Sequence, residues 1–159
     1  MKTLSDAFEH TLKDMYYAEN AIAKALPRVI KEVTQADFKA ALTDHLAETK
    51  QQIKLLDKVF GTIKTKPAGE KCDAIEGLLK ETDGIIEDAE GSVAKHAALA
   101  AACQAIEHYE ISRYGTLREW AKALKNEEAH TLLSEILDME KAANSKLNAI
   151  AIDRLNKGP

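Results

Sequence analysis

The chain has 159 residues, 45% of them hydrophobic and 30% charged, with a formal net charge of −4. That length suits one domain with a sizeable core, while the acidic balance offers no electrostatic case for nucleic acid or an anionic membrane, and no apolar run approaches the ~20 residues of a membrane span. With 5% aromatics and no β-branched clusters, strands find little support, and the prevalence of Ala, Glu, Lys and Leu points to an all-α protein.

The N-terminal "MKTLSDAFEHTLKD" has no long apolar h-region and already shows helical periodicity, so it reads as mature sequence and predicts a cytoplasmic location. The first predicted helix spans about residues 4–33 on a stripe of Leu4, Phe8, Leu12, Met15, Ile22, Leu26, Ile30 and Val33. Pro27 lies inside it and should kink rather than end it, because the stripe continues beyond. The second helix covers about 36–60, with Gly61 as its expected stop.

Residues 61–71, "GTIKTKPAGEK", read as a solvated loop, followed by a short amphipathic helix from about Asp73 to Ala89. Gly91-Ser92 supplies a stop and then a new N-cap for a helix over about 93–124. Asn126 opens the last helix, 127–156, with Glu127 and Glu128 where the helix dipole favours them. Short connections make the first two and the last two long helices antiparallel pairs. The intervening 61–92 segment is long enough to cross the whole molecule. Two hairpins joined by one long crossover is the ferritin-like arrangement of a four-helix bundle, here a single domain over 1–159 with one extra short helix.

The stripes are interrupted by carboxylates. Glu19 sits between Met15 and Ile22; Glu48 follows His45 and precedes Gln52; Glu107 and Glu110 lie between Ile106 and Tyr114; Glu140 stands between Ile136 and Leu147. Each lies near the middle of a helix of roughly 40–45 Å. Packed helices of similar length have their midpoints at one height, so the five form one layer of the core. Any one of them alone would more often be solvated. Five at one level would be costly to bury unpaired, and no Lys or Arg occupies a stripe position there. Metal ions are the economical counter-charge. Glu107 and Glu110, at i and i+3, share a face, and an oxygen-rich set suits two divalent ions, iron first and manganese second.

The usual dinuclear formula places Glu-x-x-His on two of the helices, and no histidine here stands one turn after any of these five glutamates. Gln52 and Asn144 take those inner positions, as weak ligands or as holders of ligands and water. His45 is read as supporting a ligand carboxylate rather than ligating. His108 is expected to hydrogen-bond between helices, and Asp14 to support the site from one and a half turns before Glu19. Tyr109, like Tyr16 and Tyr114, suits a buried hydrogen-bond donor more than a redox-active phenol. Cys72 and Cys103 form no CxxC pair, so their spacing argues against zinc or dithiol chemistry, and Cys103 reads as a buried thiol.

These segments carry a resemblance. "LKDMYYAEN" (12–20), "DHLAETKQQI" (44–53), "KCDAIEGLLKE" (71–81), "AIEHYEISRYGTL" (105–117) and "EILDMEKAANSKLNAIA" (135–151) make the chain similar to the YciF/YciE-like family of bacterial ferritin-like proteins, its YciF branch above all. The resemblance covers nearly the whole chain. It implies a rubrerythrin-like, dimeric helical bundle linked to bacterial stress responses, with no established activity. By motif it carries the ligand pattern onto Glu19, Glu48, Glu107, Glu110 and Glu140, with the histidines of rubrerythrin-like sites replaced at or near Gln52 and at Asn144. The departures leave two functions open: a stress protein oxidising Fe(II) or consuming peroxide with an unknown redox partner, or a non-catalytic bundle with a degenerate site acting through dimerisation or partners.

Overall fold

The computed structural model describes residues 1–156, the side chain of residue 92 excepted. Four long helices, α1 (Leu4–Glu32), α2 (Ala36–Thr62), α4 (Ser92–Ala123) and α5 (Glu127–Ile150), surround one core. The short α3 (Asp73–Asp88) packs outside, against α1 and α4. Around the ring α1 touches α2, α2 touches α5, α5 touches α4 and α4 touches α1.

Contacts at the helix ends fix the directions. The Asn126 amide at the start of α5 donates to Thr62 at the end of α2 (2.8 Å), and Arg154 meets Asp37 at the opposite end (3.4 Å). The Thr34 backbone N–H, just after α1, donates to Nε2 of His96 near the start of α4 (3.0 Å). Neighbours in the ring are therefore antiparallel. Residues 63–91 return along the length of the bundle, as the long connection required. On the way Glu70 donates its backbone N–H to the Lys13 carbonyl (3.3 Å). Gly69 comes so close to Tyr17 that an added Cβ would lie 3.1 Å from its Cα, so only glycine fits without a shift.

Local chemistry sets the helix starts. Thr3 and Asp6 form a reciprocal capping box on α1, Gln35 accepts from the Phe38 N–H (2.6 Å), and Asn126 accepts from the Ala129 N–H (3.0 Å). Pro27 is tolerated inside α1 on its exposed side. Gly61 does not stop α2. The helix runs to Thr62, and the left-handed turn falls on Lys64 (φ 55°), because the chain must first complete the turn that bonds Lys64 N–H to the Gly61 carbonyl. Gly91 (φ 79°) holds the N-cap position of α4 itself; the capping read for the Ser92 side chain lies outside the described residues. The last helix does not stay regular to residue 156, since Ala151–Leu155 widen into a π-helical turn. That turn keeps Ala151 and Leu155 buried. No helix among the described residues is long and apolar enough to cross a membrane.

Candidate metal centre

Glu19, Glu107, Glu110 and Glu140 meet in the middle of the core, each no more than 1% exposed. The helix period explains the placement. One turn to either side stand Met15 and Ile22 on α1, Cys103 and Tyr114 on α4, and Ile136 on α5, all buried. The apolar turns that drive packing carry the carboxylates inward with them.

Two groups have ligand atoms within 4.8 Å of one another: His45, Glu107 and Glu110, and Glu19, Glu110 and Glu140. Glu110 belongs to both. Protein donors satisfy only part of this layer. Tyr114 donates its hydroxyl to Oε1 of Glu19, and Gln52 donates from Nε2 to Oε1 of Glu140 (2.7 Å). Left without partners are both oxygens of Glu110, Oε2 of Glu19, Glu107 and Glu140, Oε1 of Gln52, Oδ1 of Asn144 and Nδ1 of His45. That nitrogen lies 3.5 Å from Oε1 of Glu107 without hydrogen-bond alignment. So many orphaned buried acceptors in one layer call for protons or cations between them.

Burial is the leading influence on every carboxyl here. It raises Glu107 to about 7, with the neighbouring Glu140 carboxyl opposing the rise and Glu19 and Glu48 adding repulsion. Glu19 and Glu110 are pushed well above the ordinary carboxylate range by burial and then by Glu140, and Glu140 by burial and then by Glu107. Burial lowers His45 to about 4, so its imidazole is neutral at neutral pH with a lone pair to offer. Cys103 is pushed up to about 12 by burial and by Glu107, which makes it an unreactive thiol.

The other sequence candidates divide. Gln52 is buried in the layer, and Asn144 turns its carbonyl oxygen inward unpartnered. Glu48 is only half-buried. The stripe of α2 passes through His45, Thr49 and Gln52, all buried, and leaves Glu48 at its edge. His108 does not bridge helices: it is exposed, and its Nδ1 lies 2.8 Å from the Gln104 carbonyl of its own helix. Its direction, about a third of a turn round from Glu107, takes it out of the core. Asp14 faces His10 (3.7 Å) rather than the carboxylates, and Tyr109 meets Cys72 (3.0 Å) under the Arg113 guanidinium. Both point toward the crossover side of α1 and α4. Tyr114 is the buried hydrogen-bond donor expected from the sequence, and the fold sets its hydroxyl against Glu19.

A family model described as a domain of unknown function, DUF892, matches residues 3–158. The chain belongs to the DUF892 family. It is 41% identical to protein YciF of Escherichia coli strain K12 over 160 residues, covering 99% of this chain and 95% of that protein. The crystal structure of the E. coli stress protein YciF superposes with a TM-score of 0.94 over 99% of this chain and 100% of that one, at 40% identity. YcfI from Rhodopseudomonas palustris superposes with a TM-score of 0.91 at 46% identity, over 92% and 94% of the respective chains. This DUF892 chain is thus a homologue of a stress protein.

The donor set of the layer fits a metal pair. Carboxylate oxygens with one imidazole suit iron or manganese, and among the described residues no Lys or Arg forms an ion pair with Glu19, Glu107, Glu110 or Glu140.

Proposed function

We propose that this chain is a ferritin-like, rubrerythrin-like stress protein whose core holds two divalent metal ions, iron or manganese. One observation carries the reading: two overlapping ligand groups share Glu110, whose two oxygens have no donor in the protein. Four antiparallel helices with a single full-length crossover also suit the ferritin-like topology.

In this reading His45, Glu107 and Glu110 would hold one ion and Glu19, Glu110 and Glu140 the other, with Glu110 common to both groups. Metals bound there would supply electron transfer for oxidising Fe(II) or reducing peroxide. The chain's own part is orientation. Gln52 fixes the Glu140 carboxylate and Tyr114 fixes Glu19, so each acid presents its remaining oxygen inward. Metal analysis of protein expressed with iron or manganese tests the reading: bound metal that is lost in Glu107→Ala supports it, and metal-free protein under both conditions sinks it. A homodimer in the cytoplasm is the proposed setting, which light scattering checks for its oligomeric part.

A second reading follows from Gln52, which offers Glu140 an amide N–H where a metal-binding bundle would offer an imidazole. Here the layer is held by shared protons, Glu19 with Glu110 and Glu107 with Glu140, and the bundle acts through partners. A rise of many degrees in melting temperature on adding metal would contradict it.

A further inference from the structure

Glu48 stands apart from the other four glutamates, and its surroundings give it a different task. It lines a cleft of about 90 Å³ that opens between α2 and α5. The floor is His45 and Glu107, both buried, with Nδ1 of the one and Oε2 of the other unpartnered. At the rim Lys146 and Asp44 are exposed and paired at 2.6 Å, so the Asp44 carboxylate offsets the ammonium that also acts on Glu48. Ala143, partly buried, forms part of the wall.

Resting on the metal-binding reading above, we propose that this cleft is the port through which divalent cations reach the carboxylate layer, with Glu48 as the carboxylate that receives them at the mouth. Its size supports this. About 90 Å³ holds roughly three waters, half the shell of a six-coordinate aqua ion. An entering ion must shed water. Glu48 is placed to replace the first waters lost, and Glu107 with His45 the next. The sequence of ligands runs from half-exposed to buried along one line of approach.

The test is the kinetics of Mn(II) uptake by apo-protein, followed by the loss of the free-ion paramagnetic signal, together with the rate of stripping by a chelator. Glu48→Gln keeps the shape of the side chain and removes its charge. It should slow uptake on the order of tenfold, the scale of electrostatic focusing in an acidic cleft, while the number of ions bound at saturation stays at the wild-type value. Ala143→Leu, which narrows the wall, should slow uptake and stripping together and leave the dissociation constant within about threefold, because port and sink are distinct. Uptake at the wild-type rate in Glu48→Gln overturns the proposal; if stripping is then faster and the dissociation constant weaker in proportion, Glu48 is an ordinary ligand. Glu48→Gln decides the matter if Ala143→Leu does not fold. No binding by the wild-type protein would overturn the metal reading itself, a result distinct from normal binding through another route.

Discussion

Gln52 on α2 and Glu140 on α5 are joined by a 2.7 Å hydrogen bond across the buried middle of the bundle. It is the one direct neutral-amide support for Glu140, and it opposes the upward push that burial and Glu107 exert on that acid. Gln52→Leu removes the donor and leaves Glu140 wholly without a protein partner. The apo-protein should lose about 1–3 kcal/mol, or roughly 2–12 °C in melting temperature for a chain of this size. Thermal denaturation followed by circular dichroism measures it, and an unchanged melting point would mean that a proton between Glu107 and Glu140 already satisfies the pair.

Glu110 has the reverse balance. Both its oxygens are buried and unpartnered, and three other glutamates crowd it. Glu110→Met should therefore raise the stability of the apo-protein, by about 1–4 kcal/mol if it behaves like other buried charged groups replaced by apolar ones. It should also abolish metal binding, because Glu110 is common to both ligand groups. A variant that is more stable and metal-free is the signature of a site kept for function at a cost in stability. Calorimetric unfolding with and without Mn(II) reads both effects.

The pH dependence of the apo-protein has a definite sign. Glu107 titrates near 7 in the folded chain against an ordinary 4.5, so the folded state holds more protons between those values. Its contribution to stability is full below about 4.5 and is lost as pH rises through about 7. Glu19, Glu110 and Glu140 are shifted in the same direction. Apo-protein should thus melt at a lower temperature at pH 8 than at pH 5. Glu107→Gln should flatten that slope, and an equally steep decline in the variant would assign it to other groups.

Metal binding at pH 7 must then displace protons from carboxyls that are partly protonated in the apo state. Calorimetric titration in buffers of different ionisation enthalpy should give binding heats that vary with the buffer, with net proton release. Heats independent of buffer would show that the layer is already ionised without metal.

Much of this arrangement was legible in the residues. The 3.6 period of α1, α4 and α5 carries Glu19, Glu107, Glu110 and Glu140 into the core because each has a buried apolar residue one turn away. On α2 the same reasoning was ambiguous: a stripe leaving His45 can step by three to Glu48 or by four to Thr49. Packing against α5 selected Thr49, which is fully buried. His108 was misplaced because its partner is a carbonyl of its own helix, a contact no stripe pattern encodes. Backbone irregularities were equally silent. Nothing local in "AIDRL" announces a π-helical turn, and Lys64 takes the left-handed position three residues beyond the expected glycine. The Tyr114–Glu19 bond joins α4 to α1 across 95 positions of sequence, so only the assembled ring could pair them.

Tyr114→Phe isolates that bond without opening a cavity of any size. Glu19 loses the hydrogen bond that most holds its carboxyl down, so the apo-protein should be destabilised by about 1–3 kcal/mol, measured by chemical denaturation. The loss should shrink in saturating Mn(II), where a cation takes over the stabilising role; an equal loss with and without metal would place Glu19 outside the ligand set.

Two metals in this buried layer would be visible directly. Anomalous diffraction from crystals of the protein soaked in Mn(II) tests for them. Two peaks are expected, one among His45, Glu107 and Glu110 and one among Glu19, Glu110 and Glu140. A map with no anomalous density in the layer would contradict the two-metal reading.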